Sequence, residues 1–346
     1  MTMIAPSKIE GRTAEAIHEW TRSSVDPALR VAVATLPESM RRIAEYHFGW
    51  ADEDGKPAPD AVTGKADRPA LAMLTAEAVG APATAAVPAA VAVELVHNFA
   101  LLRDDVIEGD LTRRHRASAW AVFGSSAAIL TGDALLTLAF DVVKGHSEAA
   151  ERMLTEASQN LLAGRAAELV FEQRSRVAVG DCIRMSALKT GALLGCACAV
   201  GAAMGSRVEQ VSPMREFGEL LGLALQFVDD LDGIWGDPAS TGKPLHSDLA
   251  LHKKSLPVVY ALTSRTPAGS ELTELYARPE LSTVELARAA LLLEAAGARR
   301  WAEQQADDLV SRALSRLPMA KLTDQGAAEL AILADRMTRR PPHRAG

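Results

Sequence analysis

Aromatic residues make up only 4% of this 346-residue chain, and cysteine occurs three times. Few aromatics, and no sustained run that alternates apolar with polar residues, leave little material for half-buried strands. Three cysteines in so long a chain do not build a disulfide framework. Cys196 and Cys198 sit two apart, which on a helix sends them to different sides, and with Cys182 they read as buried free thiols. A cationic excess is missing as well: the net charge of −7 argues against a general nucleic-acid binder, which needs many Lys and Arg on one face. Residues 1–12 lack the apolar core of a signal peptide, and the longest charge-free apolar segment, Thr190 to Ser206, falls short of a bilayer span. A cytoplasmic protein without stable membrane insertion is expected.

What the chain does contain is Ala, Leu and Val, within a hydrophobic content of 48%. Ala and Leu are strong helix formers, so the expected fold class is all-α. The pattern predicts helices over residues 13–48 with breaks near Pro27 and Pro37, then a loop over 51–67. Pro69 opens the next helix, and Gly80-Ala81-Pro82 ends it. A long apolar helix follows from about Ala83. Further helices are expected over 118–143 with a polar interruption at Thr131-Gly132-Asp133, over 147–174, 182–205 and 218–230, and after the loop 236–244 over 255–264, 282–296, 298–315 and 323–337. No linker or fixed repeat divides the chain, which reads as one domain over 1–346 with flexible ends at 1–12 and 339–346.

Two acidic clusters carry most of the information. Asp104-Asp105-Val106-Ile107-Glu108 and Asp229-Asp230-Leu231-Asp232 each follow an apolar stretch of helical character. Carboxylates beside apolar helix surface are tolerated when they are paired or hold a metal, and two such clusters point to a shared cation site. Residues four apart lie on one helix face, which stacks Asp104 above Glu108. Oxygen-only ligands in short clusters suit Mg²⁺, which is held by one or two carboxylates plus the phosphates of a substrate. Basic residues gather at Arg113-Arg114-His115-Arg116 and His252-Lys253-Lys254, as phosphate sites would require.

In order and spacing these motifs, over roughly residues 60–260, resemble the trans-isoprenyl diphosphate synthase (polyprenyl synthetase) family. The family's Gly-Gly-Lys-Arg-x-Arg-Pro element stands here as Gly64-Lys65-Ala66-Asp67-Arg68-Pro69, followed by the two aspartate motifs, Arg113-Arg114, Lys189-Thr190, Gln226-Phe227, Lys243 and Lys254. The resemblance implies a helical bundle around an apolar cavity, a homodimer, and condensation of an allylic diphosphate with isopentenyl diphosphate. It implies that Lys65, Arg68, His97 and Arg114 hold isopentenyl diphosphate, and that Arg113, Lys189, Lys243 and Lys254 hold the allylic diphosphate. Asp104, Asp105, Glu108, Asp229 and Asp230 would hold Mg²⁺, about three ions bridging carboxylates and diphosphate, while Thr190 and Gln226 shape the reacting end.

Several positions depart from the family pattern. Glu108 replaces the third Asp of the first motif, Arg103 precedes that motif where His is common, and Gly233 takes the third place of the second motif. Arg165 and Glu168 stand where Gln and Asp are usual, and can pair with each other. Phe99 and Ala100, five and four residues before Asp104, are one bulky and one small side chain in the direction of the growing product, a pattern similar to short-chain synthases making C15 or C20 diphosphates. Two other functions compete with this one. A terpene cyclase on the same fold needs no second substrate, and a non-catalytic partner subunit of a synthase needs no intact carboxylates.

Overall fold

The all-α expectation holds in the computed structural model, which describes residues 11–59, 61–242 and 244–339. Thr13 caps α1 (Ala14–Ala34) by accepting from the Ala16 N–H at 3.2 Å, and Pro27 lies inside this helix rather than ending it. Then come α2 (Glu38–Phe48) and the loop before α3 (Asp67–Ala78). In α4 (Val87–Glu108) Pro88 sits at the first turn, where its missing N–H costs nothing, and Gly109 closes the helix in the left-handed conformation at φ 69°.

After α4 the chain makes a two-residue hairpin, β1 (Thr112–Arg113) and β2 (Arg116–Ala117), paired antiparallel with Arg113 opposite Arg116. Its turn residues, Arg114 and His115, both have positive φ, 52° and 60°, where a two-residue hairpin turn normally takes Asn or Gly. No local signal in the sequence announces this turn. One helix was expected over 118–143, interrupted at 131–133. Gly124, at φ 88°, instead separates α5 (Ala119–Phe123) from α6 (Ser125–Val143), which runs unbroken through Gly132.

Next are α7 (Glu148–Glu172), α8 (Val179–Ser186), a π-helical turn over Ala187–Gly191 and α9 (Ala192–Ala202). The helix α10 (Val211–Trp235) begins earlier and runs past the second acidic cluster. The remaining helices are α11 (Pro238–Thr241), α12 (Ser247–Ala250), α13 (Leu256–Thr263), α14 (Pro267–Tyr276), α15 (Thr283–Ala295), α16 (Ala298–Leu314) and α17 (Asp324–Thr338). Of these α11, inside the expected loop 236–244, and α12 and α14 were not anticipated.

Helices α3 and α9 are apolar on almost every side and buried, as a helix at the centre of a fold must be. They pack on each other, and α4 and α10 flank them, with α6 against α4 and α16 against α10. One large apolar cluster draws on α1 to α7, α9, α10 and α17; Leu220 joins it to a second around α8, α10, α13 and α16, and Trp235 joins that one to a third around α13 to α15. Cys182, Cys196 and Cys198 are buried free thiols within this core, and burial pushes Cys196 and Cys198 up to about 12.

Three helical stretches, 83–108, 125–143 and 179–202, are long and apolar enough by length and composition to cross a membrane, which the sequence reading did not anticipate. The first and third are 67% and 78% buried inside the fold. The second, α6, is only 39% buried and carries an exposed Leu130. Of the ends expected to be flexible, residues 1–10 and 340–346 lie outside the described residues. Arg12 is anchored: its N–H donates to Glu329 Oε1 at 2.9 Å, its guanidinium pairs with the same carboxylate, and it stacks on Trp20 at 4.2 Å.

Candidate active site

The two acidic clusters end up on the facing helices α4 and α10, and each splits in the same way. Adjacent helical residues are about 100° apart, so the first Asp of each pair opens on the cleft and the second turns inward. Asp104 is partly exposed and Asp229 exposed, whereas Asp105 and Asp230 are buried. Asp105 Oδ1 accepts from Arg113 Nε at 2.9 Å. Asp230 accepts from Gln226 Nε2 at 2.7 Å and from the Leu256 N–H at 2.8 Å, and Gln226 Oε1 in turn accepts from Thr190 Oγ1 at 2.6 Å. Asp105 and Asp230, expected to bind metal directly, are thus taken up by protein donors. They orient Arg113 on one side and the Thr190–Gln226 pair on the other.

On the cleft side stand the carboxylates of Asp104, Glu108 and Asp229, an all-oxygen set of the kind a hard divalent ion takes, although protein cations already hold Asp104 and Glu108. Among the described residues no three of them converge into a ready-made cage. Burial pushes Asp104 up to about 6 against the pull of Arg165 and Lys189. Its crowded position and neighbouring Asp232 push Asp229 up to about 6, though the side chain is solvent-accessible. Asp230 rises to about 7, through burial first and Asp248 second.

Cations surround the first motif. Arg165 Nε lies 3.0 Å from Asp104 Oδ1, its Nη2 donates to Glu108 at 3.0 Å, and its Nη1 pairs with Glu168. Lys189 Nζ donates to Glu168 Oε1 at 2.8 Å. Lys189 is presented by the π-helical turn, and α7 approaches that turn so closely that a Cβ on Gly164 would lie 2.5 Å from the Lys189 nitrogen. The last cation is Lys253, which donates to Glu108 Oε2 at 2.8 Å and lies 3.6 Å from Asp248.

Lys254, the lysine expected here, points away and rests over the Tyr276 ring at 5.2 Å. The chain leaves a turn at 251–252, with His252 at φ 50°, and enters α13 at Leu256, and it is Lys253 that takes the place assigned to its neighbour. Lys243 lies outside the described residues. Next to it, Gly242 meets the hairpin tip, with His115 Cε1 3.3 Å from where its Cβ would be.

A second basic site lies beside α3. Arg68 Nη1 is 3.2 Å from His97 Nε2, Arg114 Nη1 donates to the His47 carbonyl at 3.3 Å, and the Arg114 guanidinium lies over Gly64. Lys65 is exposed on the same rim and acts on Asp229 and Asp232 across the cleft. His97 and His47 are held neutral, well below the usual imidazole range, by burial first and then by the arginines. Buried Glu94, with Asn98 Nδ2 donating to it at 2.9 Å, balances Arg68 and Arg114. Arg68, His97 and Arg114 are thus brought together with His47, Glu94 and Asn98, and Lys65 stands exposed toward Asp229 and Asp232. A lone His and an Asn on apolar helices carry no signal of their own in the sequence.

Product-side residues separate likewise. Ala100 shares the partly exposed stripe of α4 with His97, Asp104 and Glu108. Phe99, expected beside it, is buried against Gly132 of α6.

Residues 57–292 match the family model described as Polyprenyl synthetase. The chain is 41% identical over 319 residues to a (2E,6E)-farnesyl diphosphate synthase of Mycobacterium tuberculosis, covering 90% of this chain and 89% of that one. It is also 41% identical over 313 residues to a geranylgeranyl diphosphate synthase of the same species, covering 88% and 89%. A polyprenyl synthetase structure from Streptomyces coelicolor superposes with a TM-score of 0.88 at 44% identity, covering 94% of this chain and 100% of that one. With its paired aspartate helices and two basic sites in place, the chain belongs to the polyprenyl synthetase family.

Proposed function

We propose that this protein is a Mg²⁺-dependent trans-prenyltransferase that condenses an allylic diphosphate with isopentenyl diphosphate to a C15 to C20 prenyl diphosphate. The single observation that carries it is the presence of two separate anion sites. One is the carboxylate edge of Asp104, Glu108 and Asp229 with Lys189, Lys253 and Arg113. The other is the site of Lys65, Arg68, His97 and Arg114. A cyclase has no use for the second, and a non-catalytic subunit has no use for the first.

Mg²⁺ on Asp104, Glu108 and Asp229 would supply charge neutralisation to the departing diphosphate. Lys189, Lys253 and Arg113, and by family resemblance Lys243, would meet the same oxygens with hydrogen bonds that strengthen as negative charge develops. The second site holds isopentenyl diphosphate by its charged end. Neutral His97 and His47 add donors there without adding charge. As the allylic C1–O bond breaks, the double bond of isopentenyl diphosphate attacks C1. The resulting cation loses a proton, so that diphosphate and one proton leave for each bond formed. Thr190 and Gln226, locked together at 2.6 Å, form the wall beside the reacting carbons.

We read the chain as one cytoplasmic domain and a homodimer. On α6 Leu130 is exposed and Ile129, Leu136 and Phe140 are partly exposed, which supports the second copy.

The test is incubation with Mg²⁺ and geranyl, farnesyl or geranylgeranyl diphosphate, each with and without isopentenyl diphosphate, with products identified by mass spectrometry. Longer diphosphates that appear only with isopentenyl diphosphate support the transferase. Hydrocarbons formed without it would make the protein a cyclase, and no product in any mixture would leave the partner subunit.

A further inference from the structure

The two carboxylates offered to metal on α4 are already bridged. Arg165, projecting from α7, places Nε 3.0 Å from Asp104 and Nη2 3.0 Å from Glu108, while its third nitrogen pairs with Glu168. Its side chain is 9% exposed, so water does little to loosen these contacts. Lys253 occupies the other oxygen of Glu108, and Lys189 the other oxygen of Glu168. The cluster contains three carboxylates, Asp104, Glu108 and Glu168, and three cations, Arg165, Lys189 and Lys253. These six groups match one another charge for charge, and Lys253 is shared with Asp248 at 3.6 Å.

A divalent ion that takes Asp104 Oδ1 and Glu108 Oε1 together must displace the guanidinium, and at Glu108 Oε2 it meets Lys253. Mg²⁺ gives up its waters reluctantly, and taking Arg165 from its carboxylates would strand a buried charge. A diphosphate changes this balance. It brings anionic oxygens that a planar guanidinium and two ammonium groups bind well, so the cations gain new partners as the carboxylates are released.

We propose that Arg165 is a resident counter-ion that bars free divalent metal from Asp104 and Glu108, and that it yields only when metal arrives together with a diphosphate. Arg165 is then a positioning residue that makes metal binding conditional on substrate, and Glu168 is the anchor toward which it withdraws. The inference rests on the metal assignment above.

The test uses the full chain without substrate and Mn²⁺ as probe, with free Mn²⁺ followed by electron paramagnetic resonance, alone and with inorganic pyrophosphate. Substrate-free R165Q should bind Mn²⁺ about tenfold more tightly than the wild type, with the gain abolished by Asp104→Asn, because a bridging buried charge has been removed. R165K should recover at least about a third of that gain, because one ammonium cannot span both carboxylates as the guanidinium does. With pyrophosphate present, wild type and R165Q should differ by less than about threefold.

Equal substrate-free affinities in wild type and R165Q would overturn the inference. So would an R165K variant indistinguishable from wild type beside a tighter R165Q, since that pattern marks a general field and not displacement. Failure of the wild type to bind Mn²⁺ even with pyrophosphate would instead sink the metal assignment itself. Circular dichroism checks each fold, and should R165Q not fold, R165K with and without pyrophosphate decides alone.

Discussion

The carboxylate of Asp248 lies directly against Gly233, its Cγ only 2.5 Å from where a β-carbon at that position would stand. The second aspartate motif lacks its third carboxylate, and a carboxylate from α12 fills the space that the missing side chain leaves. Asp248 also lies 3.6 Å from Lys253, which links α12 to the first motif.

Gly233→Ala should therefore destabilise the protein by about 1–3 kcal/mol, as overpacking does in a closed space. The same substitution in an Asp248→Ala background should cost much less, because the two side chains then no longer compete. Thermal denaturation of the four proteins measures the coupling, and additive losses would show that the close approach does not matter.

The adjacent lysines should behave differently. Lys253→Ala removes the ammonium bound to Glu108 and should lower kcat/KM by about 10²-fold, as the loss of one charged donor at a reacting diphosphate does. Lys254→Ala should change it less than about threefold, the scale of a partly exposed cation beside an aromatic ring. Steady-state kinetics with both variants separates them, and the reverse ranking would mean that the segment before α13 turns over when substrate binds.

The raised carboxylates give a pH dependence of definite sign. Asp229 titrates at about 6 in the folded protein against 3.8 when unperturbed. Its charge thus opposes folding above about pH 6, and the penalty fades as pH falls toward 4. Asp229→Asn should raise the melting temperature of the metal-free protein at pH 8, and the gain should vanish near pH 4. Because protons and metal compete for Asp104 and Asp229, the wild type should also need several-fold more Mg²⁺ at pH 6 than at pH 8. A half-saturating Mg²⁺ concentration independent of pH would contradict this.

Phe99 and Ala100 should part company too. Phe99→Ala empties a site against Gly132 and should cost about 3–5 kcal/mol of stability. Ala100→Phe, on the open stripe below Asp104, should leave stability nearly unchanged and shorten the product. Melting curves and product masses for the two variants test the division, and a product shift from Phe99→Ala without loss of stability would place Phe99 in the cleft.

How much of this was legible beforehand follows from the range of each interaction. Helix type, the end at Gly80-Ala81-Pro82, and the burial of the thiols depend on composition and on spacing within a few residues, and they were readable. So was the stacking of Asp104 above Glu108, because helical periodicity alone decides it. The turn at Arg114-His115 was not, because contacts from His47 and Gly64, far away in the chain, support residues that would not choose positive φ unaided.

The sequence by itself determined an α-helical chain, two acidic clusters on helices, and a set of cations suited to phosphate. The tertiary structure alone decided which carboxylate of each pair faces the cleft, that Lys253 and not Lys254 meets Glu108, that Asp248 replaces what Gly233 lacks, and that Arg165 bridges Asp104 and Glu108. The partners of Glu108 come from segments more than fifty residues away in the chain, and buried charges settle by the partners that packing brings within reach.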